Sequence, residues 1–449
     1  MIKKALIVVF LLFAGLIILA SMMGFSPGYI VSAPGVATGI GSKLLCSSRY
    51  VSDFSQQQAF DDLVQYSSIL DQLNIEYDDE QQSVTTSLFG LSKKTASYIP
   101  ELGCAVDYSG FEQRKNLLVE APESSSQPWP LGGDVGNPDP IVKALLEEII
   151  SRDNNSGLNT RALLVVRQGQ VIAEAYDQGA DADTPLLGWS MAKSVISTML
   201  GNLEYRGLLN IDNPPGFSRW EGDGRAQVKI EDMLTMSDGL AFSEEYNPGD
   251  DATAMLFTAP SSSDYVMNME LAARPGTVFN YSSGTANLLS RVFVDSFADP
   301  QEAYSDYMEN IHRVLGFQNA VFETDASGVF VGSSYLYASA RDWARLGQLM
   351  LNNGMINGQR VSREDWVQRS TTPNKTENEK AYGFLWWLNQ GDANLRWPDL
   401  PEDTFMANGN RQQMLAVVPS ADVIIVRLGW TAGSYPTNSQ FAEILESLD

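Results

Sequence analysis

Ser190 and Lys193 stand three residues apart in "GWSMAKSVISTMLGNL" (188–203), at the head of a run in which Val195, Ile196, Met199, Leu200 and Leu203 recur with helical spacing. Residues i and i+3 of a helix share a face, so this spacing sets a hydroxyl beside an amine on a helix expected to be buried. Burial disfavours the ammonium, and the positive end of the helix dipole repels it. A neutral amine beside a hydroxyl can accept its proton, which makes serine a nucleophile without histidine. A second proton carrier must then reach the leaving group. Tyr281, in "PGTVFNYSSGTANLLSRVF" (275–293), stands in a loop just ahead of another apolar helix and is of a suitable type. Alone, Ser-x-x-Lys is a short signal, and most tyrosines in such positions are half-buried aromatics with a satisfied hydroxyl.

Composition removes the main competing chemistries. The 449 residues include one histidine and two cysteines. A zinc site draws three or four ligands largely from those types. His312, Cys46 and Cys104 lack metal-ligand spacing, so neither a metal nor another cofactor is expected. A net charge of -25 argues against nucleic acid and against an electrostatic grip on anionic lipid. "GWSMA" comes close to the G-x-S-x-G of α/β-hydrolases, but that fold needs a catalytic histidine late in the chain. The single His312, in the amphipathic stretch "MENIHRVLGFQNAVFE", reads as a surface or packing residue.

The elements that must hold these side chains follow from the hydrophobic pattern. "RALLVVRQGQVIAEAY" (161–176) and "QQMLAVVPSADVIIVRLGW" (412–430) are each two apolar, β-branched runs around a turn, and "FAEILESL" closes the chain as a helix. Strand pairs at both ends, with helices and loops between, predict an α/β fold. One antiparallel sheet is assembled from both ends of the catalytic domain, flanked by helices, beside a helical subdomain. Regular βαβ alternation is missing, which disfavours a doubly wound sheet.

The catalytic domain is expected over 141–449, opening with the helix "IVKALLEEII". A Pro/Gly/Ser linker precedes it at 121–140. Residues 26–120 form a smaller segment with the cysteine pair, a helical stretch and a short strand; its first residues, "SPGYIVSAPGVATGIGS", read as a flexible tether. Ahead of these, Lys3 and Lys4 precede an uncharged run from Ala5 to Phe25. That run exceeds the roughly 18 residues a spanning helix needs. Residues 1–25 are expected to be a membrane anchor, with a cleaved signal peptide as the alternative, because no clear A-x-A site follows. The lysines place the N-terminus inside and the rest of the chain on the periplasmic or extracytoplasmic side of an inner membrane. In that oxidising setting Cys46 and Cys104 are expected to form a disulfide, two buried free thiols being the alternative.

Taken together, "WSMAKS", "EDMLTMSDGLAF", "FNYSSGTANLLS", "FVGSSYLYASARDWARLGQLMLNNG", "YGFLWWLN" and "VVPSADVIIVRLG" resemble the serine hydrolases of the β-lactamase and penicillin-binding-protein superfamily. They are most similar to the class C β-lactamase-related branch that includes 6-aminohexanoate-dimer hydrolases and esterases. The matching stretches cover nearly all of 141–449 in the family's order. The resemblance implies Ser190 as the acylated nucleophile, Lys193 as its proton acceptor and Tyr281 as proton relay. Ser283 stands at the third place of the tyrosine motif, where many lactamases have asparagine. It further implies an oxyanion hole from the backbone N–H groups of Ser190 and Gln413, and a substrate-touching tyrosine at Tyr246 in "FSEEYNPGD". The family's third motif, Lys-Thr-Gly or His-x-Gly, aligns with Asn410-Arg411-Gln412. Asn410 replaces the cation, Gln412 replaces a glycine, and the sequence leaves open whether Arg411 aims into the site or away from it. The expected substrate is a small ester, amide or peptide, with carboxylate-bearing lactams disfavoured. A penicillin-binding-like sensor or a β-lactamase remains the alternative.

Overall fold

The computed structural model describes residues 27–110, 113–119, 121 and 125–448. The apolar run at 5–25, read as an anchor, lies outside the described residues; among those, no helix is long and apolar enough to cross a membrane.

The two apolar hairpins form the centre of the molecule. β5 (Thr160–Arg167) and β6 (Gln170–Tyr176) come from the first, and β9 (Gln413–Val418) and β10 (Val423–Gly429) from the second. With β7 (Trp387–Leu388) and β8 (Phe405–Gly409) they make one six-stranded antiparallel sheet in the order β7-β8-β9-β10-β5-β6. The central strands carry long apolar runs, at 162–166, 414–418 and 423–426, because both faces are covered. Leu163 and Val165 face one core with α3 (Pro140–Asn155) and α8 (Thr437–Glu446), while Leu164 and Val166 face the other. That second core holds α4 (Ala192–Tyr205), α6 (Ser283–Asp295) and α7 (Ala340–Leu351). α3 begins where the sequence places it, with Asp139 capping the Ile141 and Val142 N–H groups.

The N-terminal segment packs into the same core. Strands β1 (Asn74–Asp78), β2 (Ser83–Leu88), β3 (Ser92–Ile99) and β4 (Gly103–Val106) form a four-stranded antiparallel sheet. The stretch expected as a tether is instead part of a 24-residue helix, α1 (Pro27–Tyr50), buried over much of its length. The glycines that suggested flexibility are packing contacts. A Cβ at Gly39 would strike the Phe257 carbonyl in α5 (Asp251–Phe257), and one at Gly41 would lie 2.6 Å from Leu73. Tertiary close approach has overridden poor helix propensity. Cys46 on α1 and Cys104 on β4 form a disulfide. Beside it, Glu323 of the catalytic part is fully buried, with Lys43 Nζ 2.5 Å from Oε2. Its Oε1 accepts from Ser47 Oγ at 2.8 Å and from the Cys104 N–H at 2.7 Å. On α2 (Gln56–Val64), Asp62 receives both bonds of the Arg161 guanidinium, at 2.7 and 2.8 Å.

Candidate active site

α4 enters its first turn through a tight 3₁₀ step, Trp189–Met191, in which Trp189 takes a left-handed φ of 48°. A bulky residue adopts that conformation only when its surroundings enforce it. The Trp189 ring is held between Tyr66 and Tyr335, with centroids 6.2 and 6.1 Å away. The step presents Ser190 at the head of the helix, and Lys193 Nζ lies 3.0 Å from Ser190 Oγ.

Lys193 is buried, 1 % exposed. Its nitrogen makes two further bonds, to Ser283 Oγ at 3.1 Å and to the Ser333 carbonyl at 2.9 Å. Burial pulls its pKa down to about 8, while the charge of Glu244 pulls the other way. Tyr281 stands over the same nitrogen, which sits 4.9 Å from its ring centroid. Its phenol is pushed up first by burial and then by Glu244, and hydrogen bonding toward Ser190 opposes both. Tyr281 stacks on Trp387 at 5.2 Å and meets Tyr382 edge-on at 6.0 Å. Asn378 clamps its loop by accepting from the Phe279 N–H and donating to the Phe279 carbonyl. Ser190, Lys193, Tyr281 and Ser283 therefore meet as one cluster.

Two members of that cluster were not singled out from the sequence. One is the Ser333 carbonyl, whose loop is pinned by Asn287 accepting from the Ser333 N–H at 3.1 Å. The other is Glu244. It accepts from the Ser283 N–H and the Ser283 hydroxyl, both at 2.6 Å, and from the Tyr246 hydroxyl at 2.8 Å. It thus seats a carboxylate at the N-terminus of α6, where the helix dipole favours one. Tyr246, 45 % exposed, reaches the cluster through this carboxylate.

The β8–β9 hairpin completes the surroundings of Ser190. β8 runs alongside the Ser190 turn so closely that a Cβ on Gly409 would strike the Gly188 carbonyl oxygen. Asn410, exposed, follows Gly409 at the start of the turn. Gln413 lies past the turn, paired with Gly409. Its buried amide accepts from the Gly429 N–H at 3.0 Å and donates to the Gly429 carbonyl at 2.5 Å.

The aligned third motif, 410–412, forms the turn itself, with Arg411 and Gln412 at φ of 59° and 65°. The direction of Arg411, left open by the sequence, is toward Tyr66. Its guanidinium lies 3.9 Å over the Tyr66 ring and 5.8 Å from Trp430. Gln412 is turned to the Gly433 carbonyl at 2.5 Å. His312 is 2 % exposed, packed against Tyr307 and Phe317, with Nε2 3.2 Å from the Ala320 carbonyl. Among the described residues no group of three histidines, cysteines or carboxylates is placed to hold a metal.

Comparison with known proteins gives a consistent outcome. The beta-lactamase family model matches residues 145–440. The 6-aminohexanoate-dimer hydrolase of Paenarthrobacter ureafaciens is 25% identical over 288 residues, covering 60% of this chain and 72% of that protein. Among solved structures, a family VIII carboxylesterase superposes with a TM-score of 0.54 at 12% identity, covering 69% of this chain and 98% of the other. A penicillin-binding protein homologue from Caulobacter crescentus gives 0.54 at 15% identity, covering 70% and 98%.

Proposed function

The chain belongs to the beta-lactamase family of serine hydrolases, and from that membership we propose that it cleaves a small ester or amide through an acyl-enzyme on Ser190. One observation carries the reading: a buried lysine with no carboxylate on its nitrogen among the described residues, 3.0 Å from a serine hydroxyl. Lys193 in its neutral form takes the Ser190 proton as Oγ attacks the acyl carbon. Tyr281, whose phenol stays protonated and faces Ser190, passes a proton to the leaving group and takes one back from the Lys193 ammonium. Water then attacks the acyl carbon and gives up a proton through the same pair, and Ser190 leaves reprotonated as the acid product is released. The N–H groups of Ser190 and of the hairpin beside it hold the developing oxyanion. Gln413 is the donor by alignment, and the approach of Gly409 to Gly188 favours the adjacent Asn410.

Arg411 supports an ester or amide over a lactam. A charge-assisted bond to a substrate carboxylate is worth roughly 1.5–3 kcal/mol, about ten- to a hundredfold in affinity. The one cation in the third motif is committed to Tyr66. A short acyl ester is therefore expected to exceed a chromogenic cephalosporin in kcat/KM by at least about tenfold. The test is a substrate panel run beside a fluorophosphonate label. Labelling of Ser190 with ester turnover supports the reading. A stoichiometric burst alone would indicate a penicillin-binding-like sensor, and efficient cephalosporin turnover a β-lactamase.

The enzyme works outside the cytoplasmic membrane, held there by its N-terminal segment. The Cys46–Cys104 disulfide and the uncharged run at 5–25 support this. Mass mapping of non-reduced peptides from membrane-extracted protein is expected to find the cross-link. Free thiols at both positions, or full-length protein soluble in the cytoplasm, would refute it.

A further inference from the structure

Resting on the acyl-enzyme reading, we propose that Glu244 is the positioning residue that sets the polarity of the lysine base, acting through the Ser283 hydroxyl. A neutral amine has two N–H donors and one lone pair, and only the lone pair can take the Ser190 proton. The Ser333 carbonyl, 2.9 Å from Nζ, is an acceptor and occupies one N–H. Ser283 Oγ, at 3.1 Å, is ambiguous by itself, since a hydroxyl can accept from an N–H or donate into the lone pair. Glu244 removes the ambiguity. Its carboxylate is acceptor-only and takes the Ser283 proton at 2.6 Å. Ser283 can then only accept from Lys193. Both N–H groups are assigned, and the lone pair is left facing Ser190 at 3.0 Å. The bond from the Ser283 N–H to the other carboxylate oxygen, also 2.6 Å, holds Glu244 in register.

Among the described residues, Glu244 is the charged group that acts on Lys193, favouring its ammonium. The other groups facing the pair stay uncharged or are engaged elsewhere. Burial keeps Tyr281 and Tyr382 protonated, and Tyr246 donates its hydroxyl to Glu244. Asp251 is bound by the Tyr265 hydroxyl and the Ser243 N–H.

The test is Glu244→Gln, alone and with Ser283→Ala, read as kcat/KM against pH on a short-chain ester. An amide at 244 can turn its NH₂ toward Ser283 and free that hydroxyl to donate into the lone pair. The alkaline plateau is expected to fall at least about tenfold, the factor commanded by one misdirected hydrogen bond of ordinary strength. Loss of the negative charge removes support for the ammonium, so the acidic limb is expected to move to lower pH. Because Glu244 sets the polarity through Ser283, its substitution in the Ser283→Ala background is expected to add little further loss of the alkaline plateau.

A residue that merely braced the loop would admit water when replaced, return Lys193 toward its ordinary value and move the limb upward. An upward or unmoved limb, or a full additive loss in the double variant, overturns the proposal. Ser190→Ala run alongside separates it from the reading beneath it. A Glu244→Gln enzyme with the native profile beside an inactive Ser190→Ala enzyme defeats the Glu244 role alone, whereas an active Ser190→Ala enzyme defeats both.

Discussion

Replacing Lys193 by alanine is expected to slow acylation of Ser190 by about 10²- to 10⁴-fold, the range for loss of a general base, while leaving the fold in place. The chemical side follows from the inventory around Ser190. Apart from Lys193, the polar groups found there are the phenol of Tyr281, held protonated by burial, hydroxyls and carbonyls that are poor bases at neutral pH, and the Glu244 carboxylate, which is taken up by Ser283 and Tyr246 and reaches Lys193 only through the Ser283 hydroxyl. The structural side follows from the environment. Lys193 sits on an apolar helix with no ion-pair partner on its nitrogen among the described residues, and alanine suits a helix interior. Burial works against the native ammonium. On the serine-lysine reading, activity requires the neutral amine. kcat/KM is therefore expected to rise with pH through a half-maximum near pH 8, and the alanine variant should lack that limb. Stopped-flow acylation with a chromogenic ester, beside a thermal unfolding curve, checks both. Near-native acylation at neutral pH would exclude a serine-lysine mechanism.

The second large effect is expected at a residue with no side chain. A methyl group at Gly409 would collide with the Gly188 carbonyl, two residues before Ser190. Backbone on both sides of that contact leaves no flexible side chain to yield, so β8 or the Ser190 turn must move. Displacement of catalytic groups by about 1 Å costs on the order of a hundredfold in rate. Gly409→Ala is thus expected to lose about that factor in kcat while keeping its six-stranded sheet, which rests on the apolar runs of β5, β9 and β10. Steady-state kinetics together with far-UV circular dichroism decide it. A variant with native kcat would show that the strand and the turn are less tightly coupled than their contact implies.

The sheet was legible because the signal was dense. β5, β9 and β10 carry long apolar runs for a physical reason, cores on both faces, and their turns are marked by Gln168-Gly169 and Pro419-Ser420-Ala421-Asp422. Ser190 and Lys193 were legible because helical spacing converts directly into adjacency. Glu244 was not. It lies 39 positions from Ser283 in a loop, and a carboxylate in an acidic chain carries no mark of its own. Ser333 enters through its backbone carbonyl, a group that residue type does not reveal. α1 was missed because glycine, serine and proline spell flexibility in isolation, whereas here the small residues let backbones touch. Arg411 could be found but not aimed, since the left-handed turn that directs it becomes visible only once Tyr66 is folded against it.

The buried meeting of Lys43 and Ser47 with Glu323 has a consequence for how the chain comes to be folded. The partners lie 280 and 276 positions apart, so a chain made from its N-terminus has synthesised α1 long before Glu323 exists. Until then the Lys43 ammonium has no counter-charge and cannot be drawn into an apolar interior without heavy cost. The Cys46–Cys104 link spans only 58 positions and can close early. The order is then a clasp made first on an open segment, followed by a late docking that waits for the catalytic part. Long-range closures of this kind are slow steps. Here the delay is useful, since α1 can settle only onto a catalytic part whose Glu323 is already in place.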